Sequence, residues 1–350
     1  MAKINLDTHF NDPIKEWTAR KHLLITRYVV PAAMMMKSIK GKKEVALIDG
    51  FAGPNSYDGE VKGSTVIMVE AAKNVIEKGA SATVYACEED SDRYKVLTTV
   101  LADAIRDGIL IAYNSKHHAK VEEIQKSMGS KPAIVFLDPQ CPSELTLAGD
   151  LKPWTERKST DILGVFMGGG ACRACAQGVL NGQGKEKMEA SLGENWRTAT
   201  TLEAAYEVYE SAIGPLKRHF GLYRLRKQEP KTDAYGIFGL SDSPNAMALL
   251  SDAVAKDWGV LMQIDASKTT PSLFDFLPEE LGEQDSFTSL LEFSRPILKT
   301  QRQIKGRELA HAIFAGENGK KAFGQYQWSD YTKAANHVRE EFEKEMAVSN

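Results

Sequence analysis

No apolar run in this chain approaches the roughly 18 residues of a membrane-spanning helix. There is no basic excess either: 44 Lys and Arg stand against 47 Asp and Glu, a formal net charge of −3. That excludes a global positive field for nucleic acid, so any such binding must come from a local patch. Four cysteines in 350 residues are too few for a disulfide framework. The first residues, "MAKINLDTHFNDP", are polar and acidic, unlike a secretion signal. The expectation is a cytoplasmic protein with free thiols and no membrane contact. Internal repeats and low-complexity tracts are also missing. What remains is 43% hydrophobic and 26% charged, the balance of an ordinary globular chain. Its length suits about two domains, and a core of that size folds without disulfides or metal.

The pattern along the chain is an alternation. Residues 13–38 read as a helix, with Pro13 in its first turn and Pro31 as a kink or an end. The short apolar run Val45–Ile48 suits a strand buried on both faces. Residues 64–78 then read as a helix with Ser64 as N-cap. Strands follow at 82–90, 109–114, 133–140 and 161–169, with helices over 91–108 and around 120–128. Residues 186–219 are mainly helical. "GLYRLRKQ" (221–228) and "AYGIFGLS" (234–241) flank the turn "EPKTD" and read as an antiparallel hairpin. The expected fold class is α/β: a mostly parallel, Rossmann-like methyltransferase sheet closed by that hairpin. Residues 1–40 form an N-terminal helical segment, 41–268 the sheet domain, and 269–350 a small C-terminal domain. The last is either winged-helix-like or a plain helical cap.

Polar groups recur where the strands end. Asp49, Gly50, Phe51, Ala52, Gly53, Pro54 and Asn55 join the first strand to its helix. Glycine there lets a cofactor approach the backbone, but a tight strand-to-helix turn needs glycine as well. Glu88 and Glu89 close the second strand, where an acid can hold ribose hydroxyls. Asn114 closes the third, beside the place of an adenine edge. Asp138 and Pro139 close the fourth, facing a substrate. Ligands bind at this edge in open α/β sheets. The loop lacks G-x-G-x-x-G, which counts against a dehydrogenase.

"KHLLITRYV" (21–29), "IDGFAGPNSYDGEVKGSTVIMVEAA" (48–72), "FLDP" (136–139) and the hairpin end "YGIFGLS" together resemble the three-Cys-motif partner protein family. Members are similar to S-adenosylmethionine-dependent methyltransferases. The resemblance covers about residues 10–260. It implies S-adenosylmethionine as cofactor, held by Asp49 through Pro54, Ser64, Glu88 or Glu89, and Asn114. Asp138 and Pro139 would then face the acceptor. It also implies a separate protein partner. The family usually has glycine where Asn55 stands, and F-G where Gln140-Cys141 stand. Those departures motivate an alternative, a binding or regulatory subunit that keeps the fold without catalysis. Asp138-Pro139 also matches the start of the [D/N]-P-P-[Y/F] loop of adenine-N6 methyltransferases. The aromatic is missing, and Trp154 is the substitute ring considered.

Cys87, Cys141, Cys172 and Cys175 all fall near one sheet edge in this scheme. "LDPQC" is similar to the loop of RNA cytosine-C5 methyltransferases, with Cys141 and Cys172 in suitable chain positions. A four-cysteine metal site and buried free thiols are the other readings, and no metal is expected. Lys217, Arg218, Arg224, Arg226, Lys227 and Lys231 form one basic stretch, and Arg295, Lys299, Arg302, Lys305 and Arg307 a second. Each is either a phosphate-following patch for nucleic acid or a solvated face. His117 and His118 read as a surface loop.

Overall fold

The computed structural model describes residues 16–36, 44–55, 62–176, 182–225, 235–267, 283–323 and 325–348. Pro13, the turn at 229–233, and Arg226, Lys227 and Lys231 lie outside them. The chain divides into two compact units, Met1–Asp242 and Ser243–Asn350.

In chain order the first unit contains α1 (Glu16–Met36), β1 (Glu44–Asp49), α2 (Ser64–Glu77), β2 (Ser81–Glu88), α3 (Ser91–Val100), α4 (Ala102–Arg106) and β3 (Leu110–Asn114). Next come α5 (Val121–Met128), β4 (Ala133–Leu137), α6 (Lys152–Thr155), β5 (Thr160–Phe166), α7 (Gly168–Ala176), α8 (Gly182–Leu192) and α9 (Leu202–Ile213). The hairpin strands β6 (His219–Leu225) and β7 (Tyr235–Ser241) complete it. The seven strands lie in the order β3-β2-β1-β4-β5-β7-β6. All pairs from β3 to β5 are parallel, while β7 runs antiparallel to both β5 and β6. This is the Rossmann-like methyltransferase sheet that the alternation and the hairpin predict.

Burial explains the strand composition. In β1, Val45 to Asp49 are all buried, and β4 and β5 are buried throughout. Helices on both faces favour apolar residues, so Val45–Ile48 and β4 read as unbroken apolar runs, while Asp49, Thr160 and Asp161 are buried polar exceptions. The edge strand β3 is only partly covered.

α1 continues through Pro31 to Met36, within the expected range 13–38. Other boundaries differ from the sequence expectation: β2 stops at Glu88 and β5 at Phe166. The predicted helix 91–108 is two helices, meeting at Leu101, whose buried side chain sits on φ −108° and ψ 23°. β4 stops at Leu137 because Asp138-Pro139 already leaves the ladder.

The second unit is helical: α10 (Pro244–Ser267), α11 (Glu283–Thr300), α12 (Gly306–Ala315), α13 (Gly319–Ala322) and α14 (Trp328–Val348). Leu290, Leu298, Leu309, Ile313, Phe314, Tyr331 and Val338 form its buried apolar interior. No strand occurs among its described residues. No described helix is long and apolar enough to cross a membrane.

Candidate functional site at the carboxyl edge of the sheet

The β1–α2 loop is built around Asp49, the fully buried last residue of β1. Its Oδ2 accepts hydrogen bonds from Ser64 Oγ and Thr65 Oγ1, each at 2.7 Å. Its Oδ1 is buried and makes no well-formed hydrogen bond, although the Phe51 amide helps to hold the carboxylate. Burial pushes this carboxyl up to about 6. The Ser64, Thr65 and Phe51 donors oppose the rise, and the nearby charge of Asp138 adds to it.

Ser64 is not the N-cap of α2. Gly63 is, and it has no side chain to cap with. Asn55 supplies the cap from across the loop, its Oδ1 accepting from the Val66 amide at 3.2 Å. Its Nδ2 donates to Ala52 O at 2.8 Å and to Thr65 Oγ1 at 3.0 Å. A Cβ on residue 63 would stand 2.1 Å from Asn55 Oδ1, so glycine at 63 and asparagine at 55 form one device. Asn55 has φ 55°, which asparagine tolerates better than most residues. The departure from the family pattern at Asn55 thus has a local structural use. Asn55→Ala is expected to cost about 1–2 kcal/mol of stability through the lost cap. Asn55→Gly, which accepts the positive φ, should lose less. Urea unfolding of both variants checks this, and equal stability of Asn55→Ala and wild type would sink the cap assignment.

Glu88 ends β2 and turns onto the same loop. Its Oε2 accepts from the Gly53 amide and its Oε1 from the Asp90 amide, both at 2.8 Å. Burial raises its pKa, against the pull of the Asp90 and Gly53 amides. Ala52 N–H donates to Cys87 O at 2.9 Å, so the loop is also tied to the backbone of β2. Glu89 is different: its half-exposed carboxylate lies 3.5 Å from Lys116. The Asn114 amide donates to Glu88 O at 3.0 Å and Glu89 O at 3.2 Å, and its Oδ1 accepts from Ser91 at 3.0 Å. It braces the turn after β2. Pro54 and Pro139 are buried.

Asp138, at the end of β4, has a partner that the sequence does not announce. Lys21 Nζ of α1 lies 2.5 Å from its Oδ2, with the two side chains only 13% and 20% exposed. The neighbouring His22 is buried. Desolvation and then the charge of Lys21 push its pKa down to about 4, against the attraction of Asp138. Beyond Pro139, Glu144 Oε2 accepts the Gln140 amide at 2.6 Å and the Cys141 amide at 3.3 Å.

Beneath the β1 loop lies a polar cluster that overturns two expectations. His117 is no surface residue: it is 2% exposed. Trp154 Nε1 donates to His117 Nε2 at 3.2 Å. Nδ1 therefore carries the proton and donates to Asp150 Oδ1 at 2.8 Å. Asp150 also accepts from the Thr146 amide and hydroxyl, each at 2.8 Å. Burial works to raise Asp150, but its hydrogen bonds outweigh that and hold the carboxyl below the usual range. Trp154 is fully buried and committed to His117, so it cannot stack on a flipped base. A Cβ on Gly50 would stand 2.7 Å from Leu137 Cδ2 and 3.1 Å from His117 Cγ. Glycine at 50 is thus required by the packing below the loop, whatever lies above it.

The four cysteines are free thiols. Cys87 is buried, and burial above all pushes its thiol up to about 12. Cys141 Sγ lies 3.2 Å from Ser143 Oγ, and Cys172 donates to Thr200 O at 3.3 Å. Among the described residues no three His, Cys, Asp or Glu side chains are placed to hold a metal ion. In the first basic stretch Lys217 is buried, donating to Arg157 O at 2.9 Å and Asp242 Oδ2 at 2.6 Å. Arg224 pairs with Glu203, and Arg218 is exposed. In the second, Arg295 pairs with Glu341 at 3.0 Å, while Lys299, Arg302, Lys305 and Arg307 are exposed.

No protein-family model matches the chain, and no curated protein matches it. Solved structures similar to it include Legionella pneumophila protein LPL1258, at 11% identity and TM-score 0.42, covering 64% of this chain and 84% of that one. An O-methyltransferase from Bacillus cereus, in complex with S-adenosylhomocysteine, has 12% identity and TM-score 0.35, covering 68% and 84%. A SAM-dependent O-methyltransferase from Thermotoga maritima has 13% identity and TM-score 0.29, covering 60% and 64%. Similarity this remote transfers neither activity nor residue roles. The fold assignment rests on the strand order.

Proposed function

We propose that the protein is an S-adenosylmethionine-dependent methyltransferase acting on an amine of nucleic acid. One observation carries the reading: buried carboxylates at the ends of the adjacent strands β1 and β2 both turn onto one loop. The residues fit such a cofactor. Asp49 Oδ1 is a buried acceptor without a well-formed hydrogen bond, suited to an ammonium group. Glu88 has lone pairs left after its two amide donors, suited to ribose hydroxyls. Ser64 and Thr65 fix the Asp49 rotamer, and Asn55 fixes the loop backbone. The bound sulfonium would supply an electrophilic methyl group. Asp138 would accept a hydrogen bond from the acceptor's N–H and aim its lone pair, since transfer to an amine needs chiefly alignment. The exposed cations Lys299, Arg302, Lys305 and Arg307 suit a phosphate backbone. Work with a separate protein partner follows from the family resemblance at residues 48–72.

Calorimetric titration with S-adenosylmethionine tests the reading. Wild type is expected to bind, and Glu88→Gln to bind about tenfold more weakly, a loss near 1.4 kcal/mol. No heat from folded wild-type protein at millimolar ligand would remove it. The Lys21–Asp138 pair favours a second reading, a non-catalytic subunit, because the acceptor-facing carboxylate is already engaged.

A further inference from the structure

We propose that Lys21 is itself a methyl acceptor, so that the protein methylates its own first helix at Nζ. The inference rests on the methyltransferase reading above and adds a substrate to that site. The hydrogen bond assigned there to the acceptor amine is already made by Lys21, whose Nζ lies 2.5 Å from Asp138 Oδ2.

Lys21 is not the tip of a loose tail. Seven residues further along α1, the Tyr28 hydroxyl donates to Asp161 Oδ2 at 3.1 Å. Asp161 pairs in register with Ile134, so it lies four residues below Asp138 across the β4–β5 ladder. Seven helical residues rise about 10 Å, and four strand residues span about 13 Å. α1 therefore runs against the strand direction, with Lys21 at the carboxyl edge and Tyr28 near the opposite one. Leu24, Ile25, Val29, Ala32 and Ala33 are buried between and beyond these anchors. A nucleophile held this way reacts as an intramolecular group and needs no encounter step.

The step balances. The Lys21 ammonium first loses a proton to solvent by way of the Asp138 carboxylate. The nitrogen lone pair then forms a C–N bond to the sulfonium methyl as the S–CH3 bond breaks. That electron pair stays on sulfur, leaving neutral S-adenosylhomocysteine, and the methylated nitrogen carries the positive charge. A monomethylated Lys21 keeps two N–H donors and its hold on Asp138. A third methyl removes the last donor and the hydrogen bond with it.

The experiment uses the full chain incubated with S-adenosylmethionine carrying a deuterated methyl, followed by intact-mass measurement and peptide mapping. The label is expected on Lys21, at a first-order rate independent of protein concentration and rising with pH. Lys21→Arg should abolish it, and Asp138→Asn should slow it by about a hundredfold. Protein that binds the cofactor calorimetrically but stays unlabelled at Lys21 at alkaline pH overturns this proposal and leaves the methyltransferase reading standing. Absence of cofactor binding overturns both. Label confined to other residues, or a rate proportional to protein concentration, also overturns it.

Discussion

Asp138→Ala is expected to lower S-adenosylhomocysteine formation on nucleic acid by about a hundredfold or more without weakening cofactor binding. Asp138 touches neither the β1 loop by hydrogen bond nor Glu88; its direct partner is Lys21. The loss should therefore fall on turnover, since removing the charge of Asp138 eases the ionisation of Asp49 and does not weaken it as an ammonium partner. Removing one member of a partly buried ion pair also leaves Lys21 without its carboxylate. With nucleic acid supplied as the acceptor, a Lys21→Met, Asp138→Ala double variant separates that electrostatic cost from the lost acceptor contact. If the double variant regains turnover, the defect lay in the stranded ammonium. If Asp138→Ala retains full biological activity and partner capture, the site does not turn over, and the non-catalytic subunit is the better reading.

The second large effect concerns stability. His117→Ala should cost about 3–5 kcal/mol. The variant strands the Trp154 N–H, takes one donor from buried Asp150, and opens a hole under Gly50. His117→Phe divides these contributions. It restores volume and ring packing against Phe51, whose ring centroid lies 6.2 Å away, but satisfies neither polar partner. A shift of the urea midpoint at constant m-value measures both variants. A loss below roughly 1 kcal/mol for His117→Ala would mean that water replaces the imidazole, and the cluster would not be a support for the loop.

The sequence reveals this fold where burial is two-sided and local. Val45–Ile48 and Ala133–Leu137 are short apolar runs because helices cover both faces, and that pattern needs no knowledge of partners. The hairpin is legible from the turn "EPKTD" between its two strand runs. The break at Leu101 is not, since neither glycine nor proline marks it. At the site, the strand-end residues Asp49, Glu88 and Asp138 are readable from position alone. Their partners are not: Lys21 lies 117 residues from Asp138, and Trp154 lies 37 from His117. His117 looks like a loop histidine because its neighbours are polar, and only the fold brings Asp150 and Trp154 around it. The reverse holds for Gly50, Gly63 and Asn55. They look like a cofactor signature, yet each has a packing or capping use that explains it without a ligand.

The two anchors of α1 also set an order of assembly. Asp161, which receives Tyr28, accepts the Ser241 hydroxyl as well, at 2.5 Å, and Ser241 closes the last strand of the sheet. α1 is synthesised before the sheet it packs on. Its partners at Asp138 and Asp161 come much later, and the Asp161 network is complete only once β7 has slotted beside β5. Contacts of such long sequence separation are formed late and slowly. The helix can therefore pack on α2 early, while its two polar anchors fasten only once the sheet is nearly complete.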